Sequence, residues 1–239
     1  MQRLKVLILY FSVFFSTWTY ASSDTSCLYN VFSGKKIVFS SEDGIKRFCE
    51  NPYACEIFTL WRELLQSMSG GSGGILENVF LAIDVQFEFE ASRSQFLQDN
   101  IIKQILRARK RGDLIIFLEY KGDGPTIPRI MEAVEGYEHF YVGTKTSDCG
   151  AKLVGDLIEE LGISLVKNIR VCGVRTESCV FNTIYGLSLS PMFLKIFILG
   201  NACNSGHGLR ELPNGQDMNN KKWVDKIKSV IFNVEAIWD

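Results

Sequence analysis

Arg170-Val-Cys-Gly-Val-Arg-Thr-Glu-Ser-Cys-Val-Phe-Asn-Thr183 decides the fold. Its first five residues continue an apolar run that opens at Ile169 and reads as a buried strand. Arg175 to Ser178 make a short polar turn, and beyond it Val180, Ile184 and Leu187 recur at helical spacing. A strand that feeds directly into an amphipathic helix is half of a βα unit, and such units build parallel sheets. Cys179 falls in the first turn of that helix, where aligned peptide dipoles place partial positive charge and favour thiolate over thiol. The plainer reading of the same cysteine is a small buried residue near a strand end.

The alternation extends in both directions. Short apolar runs at Val79 to Ile83, Leu114 to Leu118, Phe140 to Val142, Ile169 to Val174 and Leu194 to Leu199 are separated by stretches of helical period. Ile101, Ile102, Ile105 and Leu106 form one helical face, and Leu153, Leu157 and Leu161 stripe another. Continuous apolar strands separated by helices predict an α/β, doubly wound, mostly parallel sheet with helices on both faces. In such sheets ligands bind outside the carboxyl ends of the strands, at the crevice where strand order reverses. The residues to inspect are therefore Asp84 and Gln86, Glu119 to Gly124, Lys145, Arg175 to Cys179, and Asn201 to His207.

The chain has 239 residues, 46% of them apolar, and a formal charge of −1. That balance gives no electrostatic reason to expect nucleic acid or an anionic membrane as a partner. Arg107, Arg109, Lys110 and Arg111 read as a solvated helix end that suits the dipole. Arg3 and Lys5 precede an apolar stretch from Val6 to Trp18 and then Thr19-Tyr-Ala-Ser-Ser23. This reads as a signal peptide over residues 1–21 and predicts export to the periplasm or the extracellular space. A membrane anchor is the competing reading, but the run falls short of the ~20 residues a spanning helix needs. Residues 22–76 form a Cys-containing extension, with a helix expected over Ile57 to Met68 and a Gly/Ser-rich connector at Ser69 to Gly74. The seven cysteines (27, 49, 55, 149, 172, 179 and 203) all follow the expected cut. With Cys179 set aside for chemistry, the other six are candidates for disulfides, whose pairing the sequence does not choose.

Ala82-Ile-Asp-Val-Gln-Phe-Glu-Phe89 ends one buried strand on a carboxylate, and Gly143-Thr-Lys-Thr146 ends another on a lysine. Either alone reads as a loop brace or a surface residue. Taken with Cys179 in chain order, Asp84 and Lys145 resemble the Asp-Lys-Cys triad of the isochorismatase-like cysteine hydrolases, a superfamily that includes nicotinamidases and N-carbamoylsarcosine amidohydrolases. The Asp-x-Gln-x-x-Phe segment at 84–89 and Gly173-Val-Arg-Thr-Glu-Ser-Cys-Val180 are close to family patterns and stand about 95 residues apart. The resemblance covers roughly residues 77–235 and implies a hydrolase domain over 77–239. Lys121 and Lys152 are rivals of Lys145, which is preferred because it ends a strand.

What the resemblance implies is a C–N bond hydrolase acting on a small molecule through a Cys179 thioester. Asp84 would serve as general base and acid and Lys145 as the orienting cation. A cis peptide would precede Arg175, and the backbone N–H groups of Arg175 and Cys179 would face the oxyanion. Such donors are worth about 3 kcal/mol each in a dry site. Gln86, Phe89, Arg175 and Thr176 are the expected pocket residues; Arg175 either supplies a cation for an anionic substrate group or points to solvent. Ester or ether hydrolysis stays open, since some relatives do not use the cysteine covalently.

Nicotinamidases of this superfamily carry an Asp-x-His metal site, whereas the matching segment here is Glu119-Tyr-Lys-Gly-Asp-Gly124, without histidine. No metal and no cofactor are expected. A small-molecule substrate is the expected partner, with no nucleic acid and no membrane after signal cleavage; many relatives assemble, which leaves a homo-oligomer open. The alternative of a different class is a non-catalytic secreted binding module on the same fold, with Cys179 oxidised into a disulfide. A serine hydrolase is disfavoured because no G-x-S-x-G elbow occurs.

Overall fold

The computed structural model describes residues 74–206, 219–231 and 233–239. The expected signal peptide, the Cys-containing extension with its helix, nearly all of the Gly/Ser connector and His207 lie outside the described residues. Six strands form one sheet: β1 (Gly74–Ile83), β2 (Leu114–Tyr120), β3 (Phe140–Lys145), β4 (Ile163–Val174), β5 (Phe193–Asn204) and β6 (Val234–Ile237). Their order is β3-β2-β1-β4-β5-β6, and every neighbouring pair is parallel. Between them run α1 (Gln95–Arg111), α2 (Pro128–Met131), α3 (Ala151–Glu160), α4 (Phe181–Ser188) and α5 (Asn220–Val230).

This is the α/β sheet the alternation predicts. The strands are longer than their apolar runs, because the amino-terminal halves of β1 and β4 pair with each other where one face is wet. Asn168 and Lys167 of β4, for example, bond Glu77 of β1 at 3.0 and 2.6 Å. β1 accordingly starts at Gly74, inside the stretch read as connector. The sixth strand, Val234–Ile237, carries only a short alternating pattern and was not expected.

Helix faces also shift. On α1 the buried positions are Leu97, Ile101, Gln104, Ile105 and Ala108, while Leu106, expected to face the core, is 52% exposed. On α3 the core contacts come from Val154 and Ile158, one position round from the expected leucine stripe, and Leu161 is 39% exposed. Leucine at every fourth position marks the edge of that face, where its long side chain reaches inward from the rim. Val180, Ile184 and Leu187 are fully buried as expected.

The chain winds outward from β1 through β2 to β3, then returns to lay β4 on the other side of β1 and winds through β5 to β6. Strand order thus reverses between β1 and β4, and their carboxyl ends flank the crevice where this topology binds ligands. Gly173 sets how closely they approach. It lies opposite Ile83 with φ of +124°, and a Cβ placed there would sit 2.0 Å from the Ile83 carbonyl oxygen. Only glycine fits, since an L-residue would meet both an unfavourable φ and the neighbouring backbone. Gly173→Ala is expected to lower unfolding free energy by about 3 kcal/mol or more. Gly155→Ala, on α3 where an added Cβ meets open space, should raise it by about 0.5–1 kcal/mol. Guanidinium titrations of both variants check this; equal midpoints would contradict the tight β1–β4 approach.

Candidate active site

β1 ends at Ile83, and Asp84 follows in the left-handed region with φ of 52°, a conformation aspartate tolerates better than most residues. Its N–H donates to Leu118 O at 2.8 Å, which ties the turn to the end of β2. The carboxylate is fully buried. Two strands away, Lys145 ends β3 in register with Tyr120, and its stem spans two sheet spacings of about 4.8 Å. Lys145 Nζ donates to Asp84 Oδ2 at 2.8 Å and to Ser147 O at 3.1 Å, and lies 4.6 Å from the centre of the Tyr120 ring. The two rivals stay outside: Lys121 is exposed, and Lys152 pairs with Asp156 on the surface of α3.

Beyond β4 the peptide between Val174 and Arg175 is cis. One π-helical turn, Thr176–Val180, then precedes α4, closed by Val180 N–H donating to Arg175 O at 3.1 Å. Cys179 is buried in this turn with a free thiol. Its sulfur accepts from Ser178 Oγ at 3.6 Å, and the thiol donates to Asp148 Oδ1 at 3.7 Å. Asp84 Oδ1 is buried with no hydrogen-bond partner at ordinary distance. The thiol is nevertheless near enough to draw the Asp84 pKa down by weak donation. Because S–H is a long and weak donor, we read this as an approach between acid and base rather than a formed bond.

The electrostatics correct one expectation. The Cys179 thiol is pushed up to about 12, first by burial and then by the charge of Asp84, against the smaller pull of Lys145. Removal from water outweighs the helix dipole, so the resting group is a thiol. Asp84 is raised as well, by burial above all, although Lys145 opposes the shift. A protonated sulfur beside a carboxylate with one vacant oxygen can ionise only by handing over its proton.

The expected pocket residues divide. Phe89 is half-buried and meets the Tyr120 ring edge-on at 6.5 Å. Arg175 is exposed, and its stem crosses Gly206 so closely that a Cβ there would lie 2.4 Å from Arg175 Cδ. Gln86 is not free for a ligand: it donates to Tyr120 O at 3.0 Å and Gly124 O at 2.5 Å and accepts from Tyr120 N at 2.6 Å. Thr176 is likewise used internally, donating to Asn220 Oδ1 at 2.7 Å, while Asn220 Nδ2 donates to Gly200 O at 2.8 Å. Both are polar residues at the crevice whose bonding is taken up by the framework.

Sequence reasoning missed Asp148, Thr183 and Asn220. Asp148 does lie just past the end of β3, so the crevice rule could have found it; nothing in the sequence singles out Thr183 or Asn220. The six-cysteine pairing also needs correction. Cys172 and Cys203 are free and fully enclosed, their thiols raised by burial.

No family model matches this sequence, and no curated protein matches it significantly. Solved structures do resemble it. A ribonuclease from Caenorhabditis elegans superposes with a TM-score of 0.52 at 17% identity, covering 67% of this chain and 76% of that one. The nicotinamidase of Staphylococcus aureus gives 0.51 at 20% identity, covering 67% and 99%. A pyrazinamidase/nicotinamidase from Streptococcus mutans gives 0.52 at 15% identity, covering 67% and 100%.

The buried pair makes a testable statement. Lys145→Met leaves Asp84 without its counter-charge and should cost about 3–5 kcal/mol at pH 7. Asp84 already has a folded pKa above its ordinary 3.8, so its ionisation opposes folding as pH rises through that window. Removing Lys145 widens the window, and the deficit should therefore shrink at pH 5, where the acid reprotonates. Asp84→Asn/Lys145→Met should recover most of the loss. Urea titrations at both pH values decide, and a deficit independent of pH would contradict the pair. At this level of likeness the fold is what is shared: the chain has the isochorismatase-like α/β fold.

Proposed function

We propose that this chain is a hydrolase that cleaves a C–N bond of a small amide or related molecule through a thioester on Cys179. The observation that carries the reading is the division of labour within Asp84: Oδ2 is held by Lys145, Oδ1 is buried and unpartnered, and the carboxyl group interacts with the Cys179 thiol. The resemblance in fold to nicotinamidases supports the reaction class.

Asp84 Oδ1 takes the thiol proton as sulfur attacks the carbonyl carbon. The N–H groups of Arg175 and Cys179 donate to the oxygen as it becomes an alkoxide. When the C–N bond breaks, Asp84 returns the proton to the departing amine and leaves an acyl thioester. Water then enters, gives its proton to Asp84 and attacks the thioester; collapse expels the sulfur, which recovers the proton. Lys145 orients Asp84 and favours its ionised form before each proton is taken up. The thiol stays protonated until a carbonyl arrives, so attack and deprotonation are coupled. The non-catalytic alternative needs Cys179 in a disulfide, and its thiol is free.

An ammonia-release screen over small amides tests this. Cys179→Ala should lose at least about 10³-fold in turnover. Asp84→Asn should lose about 10²–10⁴-fold. In the native protein the rate should fall as pH drops through an apparent pKa above the usual aspartate value, because Asp84 must be ionised to accept the proton; Asp84→Asn should lack that limb. Full turnover by Cys179→Ala would rule out the covalent route.

A further inference from the structure

Asp148 places a second carboxylate against the sulfur from the solvent side, 3.7 Å from Cys179 Sγ. Its position is constrained from several directions. The Ser147 carbonyl just before it accepts from Lys145 Nζ at 3.1 Å, and the Gly150 N–H just after it donates to Thr183 Oγ1 at 2.9 Å. Its own carbonyl faces the same threonine hydroxyl at 3.5 Å. Thr183 stands on α4, the helix that follows the Cys179 turn, so the Asp148 loop and the nucleophile are held by one element.

The charge of Asp148 does nothing for the reaction proposed above. It pushes the Asp84 pKa up, and a carboxylate beside a sulfur that must become anionic disfavours that anion. Lys145 cannot offset it, being committed to Asp84 at 2.8 Å. No cation lies within ion-pair distance of Asp148 among the described residues. Behind the sulfur, Asp84 Oδ1 is a fully buried acceptor without a partner. The approach to Cys179 therefore carries a negative charge without an ion-pair partner among the described residues, which calls for a ligand that brings positive charge.

We propose that Asp148 forms a cation subsite beside the nucleophile, taking an ammonium, amidinium or guanidinium group borne by the substrate within a few ångströms of the scissile carbonyl. The inference rests on the reading of Cys179 as nucleophile and adds the substrate class. A cation there supplies what the site lacks: it neutralises Asp148 while the sulfur acquires charge, and it orients the carbonyl over the thiol. The exposed Arg175 offers the opposite preference, for an anionic group, so the two residues predict opposite selectivities.

Charge-selective labelling of the full-length protein under non-reducing conditions tests the subsite without turnover. Two methanethiosulfonates of similar size are used, one ending in trimethylammonium and one in sulfonate. Labelling is followed by mass spectrometry, with Cys179→Ser giving the background from other cysteines. Relative to the same pair of reagents on free cysteine, the cationic reagent should label Cys179 at least about tenfold faster than the anionic one. Asp148→Asn should abolish that preference, and Asp148→Glu should keep most of it. Equal preference in the native protein and Asp148→Asn, or faster labelling by sulfonate, would overturn the subsite. Labelling of Cys179 by neither reagent would overturn the subsite, which requires a charged group from solvent to reach the sulfur. In the amide screen, Asp148→Asn should lower kcat/KM for amides bearing an ammonium about tenfold or more relative to neutral amides. Charge-selective labelling without amide turnover would leave the subsite standing and remove the hydrolase reading.

Discussion

An ammonium and a carboxylate meet at 2.8 Å with exposures of only 4% and 0%, and everything at the crevice is arranged around that contact. Taking two such charges out of water is expensive, and their attraction compensates only when the geometry is good and the remaining bonding positions are met. Lys145 meets this with a second acceptor, Ser147 O, and the face of Tyr120. Asp84 does not, because one oxygen is left over. Parallel register is what brings the pair together: Asp84 is tied to the end of β2 through Leu118 O, and Lys145 sits opposite Tyr120 on β3. A one-residue slip on either side of β2 would turn a side chain to the other face and strand a buried charge. The pair therefore penalises misregistered sheets as well as orienting a base.

The raised thiol changes how the nucleophile should be understood. A low-pKa cysteine is reactive at all times, and oxidants capture it for the same reason that substrates do. Burial and the neighbouring carboxylate push Cys179 the other way, to about 12, so on the proposed route the sulfur is quiet until a carbonyl and an ionised Asp84 act on it together. Reactivity is then conditional on occupancy of the crevice. The tension between an oxidising compartment, expected from the sequence, and a nucleophilic thiol becomes weaker on this account. What protects the sulfur is its protonation state.

How much of this was legible in advance depends on the kind of signal. Apolar runs marked five strands because burial on both faces needs unbroken hydrophobic stretches; β6, four residues long and covered less completely, left no such run. Positions at the centre of a helical face were readable where valine and isoleucine held them, as with Val180 and Ile184. They were misassigned on α3, where leucines occupy the rim and shorter branched residues the middle. Asp84 and Cys179 stood out because the strand-end rule and a motif spacing coincide on them. Asp148 had only the rule, in a loop without period. Gln86 and Thr176 were assigned to the pocket on the same rule and instead brace the main chain, a distinction set by side-chain direction, which sequence position does not encode.

That bracing explains why so few groups remain for a ligand. Gln86 joins the turn after β1 to the loop after β2, and Ser92 Oγ closes the next turn onto Phe89 O at 2.7 Å. Thr176, through Asn220, ties the Cys179 turn to Gly200, where β5 departs from regular register with β4. Each of these side chains satisfies main-chain or side-chain groups that the irregular backbone at the strand ends leaves unpaired. Once they are committed, the crevice keeps, among the described residues, one buried carboxylate oxygen, one exposed carboxylate, the thiol, the exposed Arg175 and the aromatic rings of Phe89 and Tyr120. A site reduced to that set discriminates by charge and flatness rather than by a dense hydrogen-bond code. Its substrate range should accordingly be narrow in charge and tolerant in detail.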